Sequence, residues 1–429
     1  MIATLRKRDF LLAWLGGLIS LIGDWILLIA LPLHIYDLTG STLATSGMFI
    51  AEIIPSLLLA SIAGVFVDRW DRKRTMLITN LVLAASVLPI LAVRSSEWVW
   101  VAYIATFVKS SAGMFFRPAE NALLPRLVDE QHLLAANALN ALNNNLARLI
   151  GPAVGGSIMG LFGITAVVAA NSVAFLVAAM LVAGIVASGR PERTEDDGVD
   201  AAGRAWRRVH REWVDGLAVV RRSRAVSTLL GLDAIAALGE GVFGVMFVVW
   251  VAEILGGDSR ELGWLMSAQA VGGLTGGVLL GSAASRFAPP KLFGVGSLAF
   301  GILDLALFNY PLVISGIWPG ILLISMVGVP SVGIGAGFMT MVQQSVQDAY
   351  RGRVFGLMGT TSSLLRLAGT LIAGVLGGIA GPLLLLNIQG GSYMLMGLLA
   401  LIVLPRLLAA QGHGHEQPTS SPASVAERP

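Results

Sequence analysis

The chain has 429 residues, of which 55% are hydrophobic and only 13% are charged, and its mean hydropathy is +0.77. Soluble domains carry about 25% charged residues, so this composition excludes an ordinary soluble enzyme and predicts a membrane-embedded protein. Cysteine is absent, which excludes disulfides, thiolate nucleophiles and cysteine-based metal sites. The formal net charge of +3 does not indicate nucleic-acid binding, because the basic residues cluster in short loops between apolar stretches.

Twelve apolar stretches are each about 20 residues or longer, the length that a helix needs to cross a bilayer. We number these predicted spans one to twelve in chain order. They cover 10–36, 42–67, 75–93, 98–116, 138–162, 164–187, 225–252, 261–283, 291–309, 312–340, 354–380 and 382–408. A signal peptide has an apolar region of only about 7–15 residues, so we expect span one to be retained. The sequence thus predicts an all-α membrane protein with twelve transmembrane helices.

Lys and Arg are concentrated at the termini and in the even-numbered loops. Of the 29 Lys and Arg residues, about 24 lie there, whereas only Arg94 and Arg260 lie in the opposite loops. The other three, Lys109, Arg148 and Arg366, lie inside predicted spans. Because short cytoplasmic loops are enriched in Lys and Arg, both termini are predicted to be cytoplasmic.

The longest break between spans divides the chain into two halves. We predict six-helix halves at 1–187 and 225–408, a cytoplasmic linker at 188–224 and a disordered tail at 409–429. Apolar residues recur at near-helical spacing in the linker, which predicts a basic amphipathic helix on the inner leaflet or, alternatively, a partner-binding helix. These residues are Trp206, Val209, Trp213, Leu217 and Val220.

Three short motifs stand at defined places among the spans. The loop between spans two and three reads Gly64-Val-Phe-Val-Asp68-Arg69-Trp-Asp71-Arg72-Lys73-Arg74. Span four contains Lys109-Ser-Ser-Ala-Gly113, and span five contains Gly151-Pro152-Ala-Val-Gly155-Gly156. Proline removes a backbone hydrogen bond and bends a helix, while glycine lets helix backbones approach closely.

These motifs resemble three signatures of the major facilitator superfamily. The first resembles the loop between helices two and three, with Asp71 where glycine is usual. The second resembles a motif of drug antiporters, with Lys109 in place of the usual Arg, and the third the Gly-Pro-x-x-Gly-Gly signature of the antiporter branch. Phe116 to Val128, followed by Asn137, is similar to the siderophore-exporter and macrolide-efflux group. The resemblance covers about residues 5 to 408.

The resemblance implies two parallel repeats with a substrate site near the membrane midplane. The halves align at an offset of about 217 residues, although the second copy of the loop motif, from Ser285 to Lys291, is degenerate. The aligned positions include Gly23-Asp24 with Gly239-Glu240, Gly64 and Arg69 with Gly281 and Arg286, and Arg148 to Gly151 with Arg366 to Gly369. In this fold Asp68 and Arg69 are expected to latch the outward-open state, with Gly64 and Arg72 in the same motif.

Eight charged residues lie well inside the predicted spans, away from the span ends, where a charge usually faces a cavity and pairs. They are Asp24, Glu52, Lys109, Arg148, Asp233, Glu240, Asp304 and Arg366. Since spans one and five are neighbours in the family fold, as are seven and eleven, we predict the pairs Asp24–Arg148 and Glu240–Arg366.

Two roles are open for these charges. A carboxylate removed from water is more easily protonated, so Asp24, Glu52 and Glu240 are candidates for proton coupling. Lys109, Arg148 and Arg366 are candidates for charge balance or for contact with an anionic substrate. The alternative is that the pairs only hold helices together.

The sequence therefore predicts a secondary transporter that exports a small amphipathic compound, such as a drug or siderophore, by proton antiport. A proton-coupled importer is the alternative, and a non-transporting membrane sensor is a remote one. We expect no enzymatic activity and no cofactor, since the sequence contains no phosphate-binding loop. The expected partners are the substrate, protons and the bilayer, without nucleic acid. We expect a monomer in the bacterial inner membrane.

Overall fold

The computed structural model describes residues 2–190, 216–218, 220–221, 223–281 and 287–412. Most of the predicted linker helix, nearly all of the predicted tail and Arg286 lie outside these residues. Across the described ranges the chain is almost entirely helical and contains no strand, which confirms the all-α prediction. The principal helices are Arg8–Thr39, Thr42–Val67, Arg72–Ser86, Val99–Leu127, Leu133–Ala183, Arg224–Glu253, Ser259–Gly281, Pro289–Asn309, Trp318–Ser345 and Asp348–Gly412, with a short helix at Ile2–Leu5.

Two of these helices bend sharply at a glycine. Gly163 (φ 74°, ψ −178°) interrupts Leu133–Ala183, and Gly381 (φ 74°, ψ 160°) interrupts Asp348–Gly412. These backbone angles are accessible almost only to glycine. The two bends fall at the predicted boundaries between spans five and six and between spans eleven and twelve.

The structure does not by itself give twelve membrane crossings. Within the described ranges, nine helices are long and apolar enough to cross a membrane, and Ser259–Gly281 is not among them. Dividing the two bent helices at their glycines and adding Ser259–Gly281 gives twelve helical segments at the predicted positions. The count of twelve crossings therefore stays a prediction, and the span numbers are used below for these segments.

The connection between spans one and two illustrates how the sequence ends one helix and begins the next. Gly40 has φ 59° and its N–H donates to the Tyr36 carbonyl, which caps span one. The Ser41 side chain accepts a hydrogen bond from the Ala44 N–H at 3.2 Å and caps the start of span two. A left-handed glycine and a serine N-cap satisfy backbone groups that helix ends leave unpaired.

The apolar cores differ between the two ends of the bundle. At the end opposite the N-terminus, one core joins both halves: Leu33 of span one packs in the same cluster as Trp250 of span seven. At the end that carries the N-terminus, each half has its own core, one around Phe10 and Ile185 and the other around Val226. Among the described residues, the apolar cores therefore join the halves at one end only.

The bend at Gly163 gives a direct test of the backbone argument. Gly163→Ala is expected to destabilise the protein by about 1–3 kcal/mol, because a Cβ there meets no atom within 4 Å and the cost comes from φ alone. The measurement is thermal unfolding in detergent. Gly231→Ala is the matched control, since Gly231 is helical and also open. Equal midpoints for both variants would contradict the assigned bend.

Candidate functional site

The two halves touch through glycines of spans five and eight. A Cβ on Gly156 would lie 2.1 Å from the Ser259 carbonyl oxygen, and a Cβ on Gly263 would lie 2.3 Å from the Pro152 carbonyl oxygen. Real Cβ atoms do not come this close to backbone, so both positions require glycine in this conformation. The contact closes the bundle at the end opposite the N-terminus.

Other residues of the Gly151–Gly156 motif pack span five against span one or add a bond to span eight. A Cβ on Gly151 would lie 2.3 Å from Trp25 Cβ, and one on Gly155 would lie 2.7 Å from the Ile26 backbone. These two glycines therefore pack span five against span one, within the first half. The Ala153 N–H, next to Pro152, donates to Ser267 Oγ of span eight over 3.0 Å.

Two further contacts join the halves at the closed end. Thr42 Oγ1 of span two donates to the Gly374 carbonyl of span eleven over 2.9 Å. The Tyr36 hydroxyl at the end of span one donates to the Glu253 carboxylate at the end of span seven. Spans two and eleven, five and eight, and one and seven thus meet at this end.

Asp258, in the loop before span eight, binds Arg260 at the contact between the halves. Burial alone would raise the pKa of Asp258, but hydrogen bonds from the Arg260 side chain and backbone lower it. The Arg260 guanidinium lies 2.8 Å from Asp258 Oδ2. A Cβ on Gly160 would lie 2.6 Å from Arg260 Cγ, so the ionised Asp258 fixes Arg260 against the first half.

In the first half, Asp24 pairs with Lys109 and not with Arg148. Lys109 Nζ of span four lies 2.9 Å from Asp24 Oδ1 of span one. The predicted Asp24–Arg148 pair is therefore wrong. Arg148 Nη2 instead donates to Gln269 Oε1 of span eight over 2.8 Å. The physical reason is that spans four and one bring a buried lysine to Asp24, while Arg148 lies at the contact with the other half.

In the second half, the predicted ion pair forms. Arg366 of span eleven binds the Glu240 carboxylate of span seven, which confirms the contact but leaves its role open. Ser362, one turn before Arg366, donates to Asp233, which lies two turns before Glu240. A Cβ on Gly241 would lie 2.1 Å from the Arg366 carbonyl oxygen, so close backbone packing of spans seven and eleven positions the pair.

Glu52 of span two has no hydrogen-bond or ion-pair partner within the described part of the chain. It lines a small cleft with Lys109, Thr106 and Phe49, and it experiences the charges of Lys109, Asp24 and Arg366. The Thr106 hydroxyl is buried and makes no hydrogen bond to a described residue. The cleft of about 20 Å³ is large enough for one water, with these polar groups as partners.

The charges face a space between the halves. The side chains of Asp24, Glu240 and Arg366 are 43%, 51% and 50% exposed, although all three lie near the middle of long apolar helices. Charged side chains at such depth face water-filled cavities rather than lipid. With one end of the bundle closed, this space opens toward the end that carries the N-terminus.

The loop between spans two and three packs on its own half. Asp71 caps span three, because its Oδ1 accepts from the Arg74 N–H over 3.0 Å. The Arg72 N–H donates to the Gly189 carbonyl over 2.9 Å, and Lys73 Nζ lies 2.5 Å from the Ile185 carbonyl oxygen. The departure from glycine at Asp71 thus has a local cause, a helix N-cap.

Gly64, Asp68 and Arg69 of the same loop are predicted to help latch the opposite state. A Cβ at Gly64 would meet no atom within 4 Å, so this conformation does not itself require glycine there. Asp68 and Arg69 are exposed, and the Asp68 N–H donates to the Gly64 carbonyl over 3.0 Å. The expected latch is not tested by this conformation.

Sequence reasoning missed the neutral partners of the charges. Gln269, Ser267 and Ser362 each bind a motif residue or a charge, but isolated polar residues in an apolar span carry little signal by themselves. Gln269 does fall close to the repeat position of Glu52, which offers one signal. Across the described ranges, no group of three or more His, Asp or Glu side chains is placed to hold a metal ion.

A helical bundle that encloses intramembrane charges between two halves defines a membrane transporter of the major facilitator type. The structure superposes on a bacterial homologue of the iron transporter ferroportin in an inward-facing state with a TM-score of 0.69. The two share 15% identity over 94% of this chain and 99% of the other, which establishes the fold.

The chain belongs to the transmembrane secretion effector family of this superfamily, which it matches over residues 1–421. It is 26% identical to macrolide efflux protein A of Streptococcus pyogenes, over 86% of this chain and 89% of that protein. It is 28% identical to the multidrug efflux pump Tap of Mycolicibacterium fortuitum, over 94% of this chain and 97% of the pump. The resemblance to the drug-efflux branch is thereby confirmed.

The close glycine contact between spans five and eight predicts that a larger residue there opens the closed end. Gly156→Ala is expected to separate spans five and eight, because its Cβ would overlap the Ser259 carbonyl. Since the chain has no cysteine, spin labels on Phe162→Cys and Val313→Cys report the distance across the closed end. We expect the distribution to move to longer distances. Gly113→Ala, which meets no atom within 4 Å, should leave it unchanged, and an unchanged distribution in both would contradict this contact.

The corrected pairing in the first half can be measured by double-mutant cycles. Asp24→Asn with Lys109→Met is expected to give a coupling energy of about 0.5–1 kcal/mol, at the low end for contacting residues because Asp24 is half exposed. The same cycle with Arg148→Met should give about zero. The measurement is the free energy of unfolding in detergent. Larger coupling of Asp24 to Arg148 than to Lys109 would restore the original prediction.

Proposed function

We propose that the protein exports a small amphipathic compound, such as a drug or siderophore, in exchange for protons. The observation that carries this proposal is Glu52, a carboxylate without a partner among the described residues, next to the Lys109–Asp24 pair and within reach of the Arg366 charge. The named efflux functions of the two relatives favour export over import. An importer and a non-transporting sensor remain the alternatives.

The proposed site lies in the bacterial inner membrane with both termini in the cytoplasm. This orientation follows from the bias of Lys and Arg toward the termini and the even-numbered loops. The closed end then faces outward, and the space between the halves opens to the cytoplasm. We propose that the halves are 1–187 and 225–408, that 188–224 links them and that 409–429 is a tail.

Glu52 is the proposed carrier of the coupled proton. An ionised Glu52 attracts Arg366 across the contact of spans two and eleven, and so favours the state in which these spans are packed together. Protonation removes this attraction. Because a ligand shifts an equilibrium by its difference in affinity for the two states, proton occupancy of Glu52 biases the two openings. Alternating access then follows from rocking of one half against the other.

The other two carboxylate candidates have a smaller role in this proposal. Asp24 and Glu240 are each bound to a cation, Lys109 and Arg366, so each proton taken up must compete with an ion pair. Arg148 is held by the neutral Gln269. It is therefore the cation in the described cavity best placed to contact an anionic group of a substrate.

The loop between spans two and three has a proposed mechanical role in the opposite state. When the cytoplasmic ends of the halves meet, Asp68 and Arg69 would come to the contact, while Gly64 and Arg72 shape the loop. Pro152 and Gly156 would release span eight in the same movement, while Gly151 and Gly155 would keep span five packed on span one. We propose that a monomer in the bilayer performs this cycle.

Transport is tested by accumulation of amphipathic compounds, including a macrolide, in cells with and without the protein. Expressing cells are expected to accumulate less compound, and a proton uncoupler should abolish the difference, because antiport uses the proton gradient. Efflux that persists with the uncoupler would contradict proton coupling. Greater accumulation in expressing cells, reduced by the uncoupler, would indicate the importer.

The role of Glu52 is tested in the same cells. Glu52→Gln should lower the uncoupler-sensitive efflux rate about tenfold or more, because the amide cannot exchange a proton. Glu97→Gln is the matched control, since Glu97 is exposed in the loop between spans three and four. Membrane levels of both variants are compared with the original protein. Unchanged proton-driven efflux in Glu52→Gln would reject Glu52 as the carrier.

A further inference from the structure

A buried polar pair joins spans nine and twelve, away from the ion pairs described above. Asp304 is 2% exposed and Gln389 is 5% exposed. Gln389 Nε2 donates to Asp304 Oδ2 over 3.1 Å. No Lys, Arg or His forms an ion pair with Asp304 in the described part of the chain. A carboxylate here would lack the partner that a buried charge requires.

The two spans approach closely around this pair. A Cβ on Gly390 would lie 3.4 Å from Asp304 Cβ, and a Cβ on Gly301 would lie 2.6 Å from the Gly390 carbonyl oxygen. Spans nine and twelve thus approach closely at Asp304 and at Gly301, about one turn before it. The packing leaves Gln389 as the group that must satisfy this carboxyl.

The side-chain amide of Gln389 is the second observation that bears on the protonation of Asp304. Gln389 Oε1 is buried and has no hydrogen-bond donor among the described residues, although the other end of the same amide binds Asp304. A buried acceptor without a donor costs about 1–3 kcal/mol. An ionised carboxylate can only accept, whereas a carboxylic acid carries one O–H donor. A protonated Asp304 therefore satisfies the amide oxygen that an ionised one leaves unpaired.

We propose that Asp304 is a proton-binding site that stays occupied at neutral pH and throughout the transport cycle. Its O–H donates to Gln389 Oε1 while Gln389 Nε2 donates back to Asp304, which gives a neutral, two-bond acid–amide pair. This inference does not depend on the proposed export function. It assigns a resident proton to the second half, separate from the proton that Glu52 is proposed to exchange.

The pair positions the span behind the Glu240 ion pair. A Cβ on Gly239 would lie 3.3 Å from Gln389 Cγ and 3.7 Å from the Tyr393 ring. Since Gly239 precedes Glu240, span twelve supports the backbone of span seven at the point where Glu240 reaches Arg366. Tyr393, a titratable group one turn after Gln389 in the same span, packs against the same glycine.

The first half carries a neutral bond at the equivalent place. At the repeat offset of about 217, Gln389 corresponds to Ser172. Ser172 Oγ of span six donates to the Ala84 carbonyl of span three over 3.1 Å. Both halves thus join these two helices by buried hydrogen bonds, and a protonated Asp304 makes the second junction uncharged like the first.

Infrared spectroscopy of the full-length protein in lipid tests the proton directly. At neutral pH we expect a carbonyl stretching band of a protonated carboxyl group that Asp304→Asn removes. Asp258→Asn is the control and should leave the band unchanged, because Asp258 is paired with Arg260. Absence of any protonated-carboxyl band in the unsubstituted protein would overturn the proposal without the need for a variant. A protonated-carboxyl spectrum that is the same in Asp304→Asn as in the unsubstituted protein would also overturn it.

Thermal midpoints and efflux rates of two variants complete the test. Asp304→Asn keeps both hydrogen bonds, so its thermal midpoint and its uncoupler-sensitive efflux should equal those of the unsubstituted protein. Gln389→Leu should lower the midpoint by a few degrees and shift the band to higher frequency, because the acid loses its acceptor. A folded Asp304→Asn protein that has lost proton-driven efflux would show that the proton turns over, and would overturn resident occupancy. The infrared result stands whether or not export is observed.

Discussion

A charge inside the membrane must be paired or reach water, and this constraint organises the interior of the protein. The buried Lys109 forms an ion pair with Asp24, while Glu240 and Arg366 pair with each other and remain half exposed. Paired charges at such depth are tolerated where a cavity hydrates them. Among the described residues the halves are packed together at one end only, where glycine contacts of spans five and eight close the bundle, and this leaves the space that the charges face. The chemistry and the conformation therefore depend on each other.

The helix pattern was predictable because it rests on local properties. Long apolar runs, the serine cap at Ser41 and the glycine bends at Gly163 and Gly381 each act within a few residues. The Glu240–Arg366 pair was predictable because spans seven and eleven are neighbours in the family fold and both positions recur in the repeat. Asp71 shows how a departure from a family pattern can be read locally, since aspartate at a helix start is a favoured N-cap.

The partners of Asp24 and Arg148 were not predictable in the same way. Repeat symmetry placed an arginine opposite each acidic residue. Lys109, however, has no counterpart of the same charge in the second half, and it is Lys109 that pairs with Asp24. Distances between helices decide such pairings, and sequence spacing does not contain them. The contacts of Arg148 with Gln269 and of Ala153 with Ser267 join the two halves. They depend on the conformational state, which a single sequence does not specify.

The repeat nevertheless shows a chemical difference between the two faces where the halves meet. Spans five and eight meet as spans eleven and two do, and Arg148 and Arg366 are repeat counterparts. Arg148 faces Gln269 across its contact, whereas Arg366 experiences the charge of Glu52 across the other. Gln269 and Glu52 fall at nearly the same repeat position. With an amide on one face and a carboxylate on the other, the proton that we propose for Glu52 would change the attraction between the halves at the contact of spans two and eleven.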